Sequence, residues 1–206
     1  MTKVKKLTAR QKQALKTRKA LLESALKLFR EKDFDDVTVE EITKGAGTSK
    51  GSFYTYFKSK DAVILEQYKE IDEYYKIVYE NLSKNLPASE QIRVLLSEGI
   101  KLFLKFGYEF VTIVAKNQLA TKALPHIFSG DRVLNRLILK IVTEGQLRGE
   151  IRNDLSEMEI TDMILCYYRG LYIEWCYFNG EFDILNKGNQ YLNLFIDDVL
   201  NKKVNQ

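Results

Sequence analysis

Apolar residues recur at spacings of three and four along most of the 206-residue chain, the period of a helix with one buried face. No alternating run of strand length interrupts them. Leu22, Ala25, Leu26 and Phe29 define such a face over residues 17–32, with Lys27, Arg30 and Glu31 opposite. Asp33 to Asp36 break the pattern. Thr38-Val39-Glu40-Glu41 then has the form of a capping box, with Val37 and Ile42 placed as its hydrophobic staple. This predicts a second helix from Thr38, kept short by Gly45 and Gly47. Ser49 is placed to cap a third, Lys50 to Phe57, and Ser59 a fourth that runs through Tyr68, Ile71, Tyr75 and Val78 to Leu82.

Beyond Pro87 the pattern predicts helices over 89–106, 108–119, 132–147, 156–178 and 184–200. Gly107, Gly149 and Gly180 are the stops. Ser156-Glu157-Met158-Glu159 is a second capping box. The fold class expected is all-α.

The pair of short helices around Gly45 and Gly47 is a helix-turn-helix candidate. The second of them is unusual as a packing element. Phe53 and Phe57 lie four apart and face a core. Lys50, Gly51, Ser52, Thr55 and Tyr56 offer small or hydrogen-bonding groups on the other side. Gly51 costs about 1 kcal/mol relative to alanine inside a helix, and its missing side chain would allow close approach to DNA. The competing reading is a plain helical hairpin in a bundle.

Charge favours the DNA reading. The net charge of +4 is divided unevenly: residues 1–60 hold fifteen Lys or Arg against seven Asp or Glu, a net of +8, and the remainder has −4. Lys3, Lys5, Lys6, Arg10, Lys12, Lys16, Arg18 and Lys19 all precede the first acid, Glu23. A basic end on an acidic chain fits a polyanion partner; a solvated tail is the plainer account of the first ten residues. No apolar stretch has the roughly 20 residues a membrane span needs, and no signal peptide is evident. A cytoplasmic protein without a membrane partner is expected.

Catalytic chemistry finds no support. There is no glycine-rich phosphate loop and no cluster at metal-ligand spacing. The single histidine, His126, follows Pro125 and reads as a loop or pocket residue. No catalytic residue, metal or cofactor is expected, and the chain is not read as an enzyme. Cys166 and Cys176, about 15 Å apart if on one helix, cannot bridge each other. They read as two small buried hydrophobes, or as a redox pair across a dimer.

Residues 17–61 resemble the DNA-binding domain of TetR-family repressors. The resemblance rests on Thr17-Arg18, Ala25 and Phe29, Thr38-Val39-Glu40-Glu41-Ile42, Ala46-Gly47, the run Ser49-Lys50-Gly51-Ser52-Phe53-Tyr54-Thr55-Tyr56-Phe57, and Ser59-Lys60-Asp61. Thr48, Phe53 and Tyr56 depart from the usual valine, leucine or isoleucine, and histidine. The resemblance implies a basic arm over residues 1–16, a DNA-binding domain over 17–61, and a ligand-binding and dimerisation domain over 62–206. It implies double-stranded operator DNA, a small-molecule effector and a second copy of the chain as partners. Thr38 would hold a phosphate at a helix N-terminus. Thr48, Ser49, Lys50, Gly51 and Ser52 would face the major groove, with Lys50 on a base, and Tyr54, Tyr56 and Lys60 would contact phosphates. The function implied is a transcriptional regulator, in the first instance a repressor released by its ligand. The alternative is a regulator of the same fold governed by a protein partner or by no small inducer.

The C-terminal part matches less specifically, best over Glu144 to Arg152. By resemblance, helices 156–178 and 184–200 would form a four-helix dimer bundle. Ile160, Met163, Ile164, Leu171, Tyr172, Leu192, Phe195, Ile196 and Val199 would supply its surface, or would serve the monomer core. Phe103, Phe106, Phe110, Tyr167, Tyr168 and Trp175 are candidate effector contacts, with packing as the competing role. Glu109 and Glu174 fall among these aromatics, and burial of either would suit a cationic or hydrogen-bonding ligand. The long helix after Ser59 would join the two domains and act as the lever between them.

Overall fold

The structure, a computed structural model, describes residues 8–120 and 132–200. His126 and the basic residues Lys3, Lys5 and Lys6 lie outside them. The described residues form nine α-helices: α1 (Ala9–Glu31), α2 (Val39–Gly45), α3 (Lys50–Tyr56), α4 (Lys60–Asn81), α5 (Ala88–Phe106), α6 (Tyr108–Ala120), α7 (Val133–Leu147), α8 (Glu157–Tyr177) and α9 (Ile184–Leu200). One 3₁₀ turn, Phe34–Asp36, precedes α2. No strand occurs among them.

Two compact units divide the chain, Met1–Tyr68 and Lys69–Gln206. The division falls seven residues beyond the expected boundary, inside α4. The helix carries on through it because no glycine or proline interrupts Lys60 to Asn81.

In the first unit α1 packs on α2 and α3. Leu21, Leu22, Ala25, Phe29, Val37, Ile42, Phe53, Phe57, Val63 and Ile64 are buried. Full burial of one such large side chain contributes about 1.5–3 kcal/mol. Helix α1 starts eight residues before the expected position 17. Thr8 caps it: its hydroxyl accepts from Gln11 N–H at 3.2 Å, and the Gln11 side-chain Oε1 accepts from Thr8 N–H at 2.9 Å. Residues 9–16 are therefore helical rather than arm. Arg18 pairs with Glu66 and stands over the Phe57 ring, tying α1 to the start of α4.

In the second unit α5 packs against α9, α7 and α6, and α8 against α7, α9 and α6. The core runs from Ile92, Leu95 and Ile100 on α5 through Ile138 and Ile141 on α7 to Ile160 and Ile164 on α8 and Ile196 on α9. The second capping box forms as expected, with Ser156 and Glu159 satisfying each other's backbone N–H. Gln146 fixes the turn before it by donating to the carbonyls of Arg152 and Leu155.

The surface assigned in advance to a dimer is mostly interior. Ile160, Ile164, Leu171, Tyr172, Leu192, Ile196 and Val199 are buried within the unit, and Phe195 stacks on Tyr167 at 4.7 Å. Each points inward because helices α8 and α9 also pack on α5 and α7. Only Met163 of that set is exposed. The outward side of α8 instead carries Met163, Cys166, Gly170, Ile173 and Tyr177, and that of α9 carries Tyr191 and Leu194. Cys166 is thus exposed, contrary to the expected burial, and Cys176 is half-buried.

Candidate nucleic-acid interface and effector core

Helix α2 begins where Thr38 and Glu41 close the expected capping box. The Thr38 hydroxyl accepts from Glu41 N–H at 3.2 Å, and Glu41 Oε2 accepts from Thr38 N–H at 3.0 Å. Lys32 also reaches Glu41. Its hydrogen bond, with those from the Thr38 backbone and hydroxyl, lowers the carboxyl pKa to about 2. The Thr38 groups expected to hold a phosphate are therefore occupied by a carboxylate of their own helix.

Helix α2 ends at Gly45, and Gly47 closes the turn after it. Gly47 N–H bonds Lys44 O and Thr48 N–H bonds Thr43 O at 2.9 Å, the paired bonds of a Schellman motif. Gly47 sits at φ 63°, a conformation nearly free to glycine and costly for other residues. The chain reverses there in four residues, and Ser49 opens α3 by accepting from Ser52 N–H.

Burial sorts the residues of α3. Phe53 is fully buried, with Phe57 just after the helix packing at 5.6 Å. Ser49, Lys50, Gly51, Tyr54 and Thr55 are exposed, and Thr48, Ser52 and Tyr56 half-buried. A Cβ added at Gly51 would meet only Ser49 Oγ at 3.8 Å. Packing inside the protein thus gives no reason for glycine at this position.

Two lysines are not as the sequence suggested. Lys50 is exposed, but its ammonium is paired with Glu40 of α2. That hydrogen bond raises the lysine pKa and lowers the glutamate's. Sequence reasoning missed Glu40 because the pairing crosses the turn, ten residues apart. Lys60, expected on a phosphate, turns inward: its Nζ donates to the carbonyls of Phe34 and Asp35 at 2.7 and 3.1 Å and lies 4.8 Å from the Phe34 ring centre. It thereby satisfies carbonyls of the 3₁₀ turn, which the sequence did not predict.

The six aromatic candidates of the second unit do not form one cluster. Phe103 stacks on Tyr168 at 5.6 Å and meets Tyr172 edge-on at 5.3 Å. Phe106 packs on Phe110, which is buried. Tyr167 faces α9, where it stacks on Phe195 and donates to Gly188 O at 3.3 Å. Trp175 is buried beside Tyr108 and donates to Phe182 O. Tyr167 and Tyr168 diverge because neighbours on a helix point about 100° apart.

Glu174 is not a buried anion. It is 44% exposed and paired with Lys187 at 2.8 Å, and Glu109 is half-buried. A solvent-open groove of about 520 Å³ lies between Tyr79, Lys84, Gln91, Lys140 and Arg148, and none of the six aromatics lines it. Sequence reasoning also passed over Tyr75. Its hydroxyl meets that of Tyr168 at 2.9 Å in the interior, across 93 residues of sequence.

A short helix with a polar, small-residue outer face, presented by a tight turn from a three-helix core, defines a helix-turn-helix DNA-binding protein. Residues 21–66 match the family of bacterial regulatory proteins described as the tetR family. That stretch of the chain is thus similar to the DNA-binding part of tetR-family regulatory proteins.

The chain is 23% identical over 186 residues to the fatty acid metabolism regulator protein of Bacillus subtilis, a match covering 88% of this chain and 95% of that protein. It is 33% identical over 107 residues to the regulator EthR of Mycolicibacterium smegmatis, covering 52% of this chain and 48% of that one. Among solved structures, FadR of Bacillus subtilis in complex with stearoyl-CoA superposes with a TM-score of 0.73 at 22% identity, over 86% of this chain and 97% of that one. FadR of Bacillus halodurans gives 0.74 at 16% identity, over 98% and 100%. At these identities the structural likeness speaks for the fold. Among the described residues, no helix is long and apolar enough to cross a membrane.

Proposed function

We propose that the chain is a cytoplasmic repressor that binds a palindromic operator as a homodimer and leaves it on binding a small molecule, with no catalytic activity of its own. The observation that carries this reading is helix α3. It buries Phe53 and leaves Ser49, Lys50, Gly51 and Tyr54 outside, a surface of hydrogen-bonding and small groups suited to a major groove. Residues 17–61 form the DNA-binding domain in this reading, and 62–206 the effector and dimer domain. Thr48, Ser49, Lys50, Gly51 and Ser52 face the bases. Tyr54 and Tyr56 contact phosphates, as do Lys60 and Thr38 once their internal partners are exchanged.

The exposed apolar stripe of α8 and α9 is the dimer surface. Met163, Ile173, Tyr177, Tyr191 and Leu194 are each at least 40% exposed, and large apolar side chains gathered on the outer sides of two adjacent helices suit an interaction site.

The effector proposed is a long-chain acyl-CoA. Structures of FadR from Bacillus subtilis and Thermus thermophilus hold stearoyl-CoA and lauroyl-CoA. The ligand acts by binding one conformation better than another. A genomic DNA selection with purified protein, at two salt concentrations and with or without stearoyl-CoA, tests the reading. The expected result is a palindromic site, bound less tightly in high salt and released by stearoyl-CoA. Recovery of no preferred sequence would count against specific DNA recognition.

A further inference from the structure

We infer that Tyr75 and Tyr168 form the polar contact of the effector site, donating a hydrogen bond to a carbonyl oxygen of an otherwise apolar ligand. The inference rests on the reading of the second unit as an effector domain. Tyr75 of α4 and Tyr168 of α8 are both 3% exposed. Their hydroxyls lie 2.9 Å apart, a bond that uses one of their two protons. The second proton has no acceptor among the described residues. A buried donor without a partner costs about 1–3 kcal/mol, and native structures seldom carry one without a use.

The environment restricts what that donor can meet. Helix α5 offers only Gly99 beneath the pair: a Cβ there would stand 1.9 Å from the Tyr168 hydroxyl and 2.0 Å from that of Tyr75. Phe103 stacks on the Tyr168 ring and Tyr172 closes the same side, so the surroundings are aromatic and apolar. Burial pushes the pKa of both tyrosines up. They stay neutral donors and offer no anion to a cationic ligand. Arg132 lies close enough for its charge to act on Tyr75 and Tyr172 against that shift, while Asp72 accepts from it at 2.9 and 3.1 Å. A neutral carbonyl meets all these conditions; a thioester is one example and a ketone another.

The full chain contains one tryptophan, Trp175, buried on the same helix two turns beyond Tyr168, and its fluorescence reports binding. Wild type, Tyr168→Phe and the double variant Tyr75→Phe/Tyr168→Phe are titrated with two matched pairs of probes. One pair is stearoyl-CoA and its S-stearyl thioether analogue, which lacks the carbonyl oxygen. The other is butyrophenone and butylbenzene. Wild type is expected to prefer the carbonyl member of a pair by about tenfold, the worth of one well-made hydrogen bond. The double variant is expected to lose the preference and keep the affinity for the member without oxygen, whereas Tyr168→Phe frees the Tyr75 proton to donate and is expected to keep part of it. The double variant removes both hydroxyls together and leaves no orphan, so its thermal unfolding serves as the control for folding. A preference that survives in the double variant, or is absent from wild type in both pairs, overturns the inference. If stearoyl-CoA fails to bind while butyrophenone shows the Tyr168-dependent preference, the acyl-CoA reading falls and the inference stands. If stearoyl-CoA binds wild type and variants equally, the inference falls and that reading stands.

Discussion

Lys50 is held by a competitor before DNA arrives. Its ammonium pairs with Glu40, and in the proposed reading a guanine edge would have to displace that carboxylate. Glu40 also adds negative charge beside a surface meant for phosphates. Replacing it by glutamine should therefore tighten operator binding, whereas Lys50→Ala should weaken it by about tenfold and relax preference at one base position. Fluorescence anisotropy on operator DNA and on a scrambled duplex separates the two effects. Weaker operator binding by Glu40→Gln would show that Glu40 positions Lys50 instead of competing for it. Gly51 permits a sharper contrast. With nothing nearer than 3.8 Å to an added Cβ, Gly51→Ala should stabilise α3 by about 1 kcal/mol and yet weaken DNA binding, because the methyl group stands where backbone and groove approach. A variant that gained stability and bound DNA unchanged would place α3 away from the bases.

At the scale of elements, caps and turns were the most legible features. Thr38 and Glu41 close the capping box that their spacing predicts, Ser156 and Glu159 do the same for α8, and Gly47 takes the left-handed turn. These are contacts within four residues, and local sequence contains all their partners. What stayed hidden is non-local. Phe195 and Ile164 follow a helical period whether they face a partner chain or their own core, so periodicity could not separate the two. Lys60 finding the Phe34 and Asp35 carbonyls, and Tyr75 finding Tyr168, depend on packing that no spacing encodes. The start of α1 was missed for another reason: Thr8 and Gln11 form a cap, but the apolar face begins only at Leu21 and Leu22, leaving the first turns without a buried side to reveal them.

The α2 cap carries a pH dependence of definite sign. Glu41 has its carboxyl pKa lowered from 4.5 to about 2, first by Lys32 and then by Thr38. A group depressed in the folded state stabilises it above the unfolded value, and that contribution is lost as pH falls toward the folded one. Glu41→Gln keeps the capping geometry and removes the charge. The gap in unfolding midpoint between it and wild type should be widest near neutral pH and close between pH 4.5 and 2. A gap independent of pH would assign the cap to geometry alone. Gly99 makes an element-level prediction of another kind. Gly99→Ala drives a methyl group into two tyrosine hydroxyls and should destabilise the second unit by about 1–3 kcal/mol. The double Tyr→Phe background should recover much of the loss by removing both clashing oxygens, and denaturant melts of the single and combined variants measure the coupling.

For the whole molecule, the proposed dimer surface on the exposed stripe of α8 and α9 would set how operator symmetry arises. Each unit is already satisfied inside: the apolar residues facing α5 and α7 are buried without any second chain, so the stripe is surplus to the monomer fold. Ile173 lies near its middle, 40% exposed, between Gly170, which leaves open space for a close approach, and Tyr177. An aspartate at 173 would cost little in a monomer, where water reaches it, and much in a dimer, where a charge would be buried unpaired. Ile173→Asp should therefore give the mass of one chain in light scattering at micromolar concentration, with an unfolding midpoint close to that of wild type measured as a monomer. Its affinity for a palindromic operator should drop far more than its affinity for a single half-site, because two recognition helices then no longer bind as one body. A dimeric Ile173→Asp protein would move the interface off this stripe. An unchanged preference for the full palindrome in a proven monomer would separate DNA recognition from dimerisation altogether.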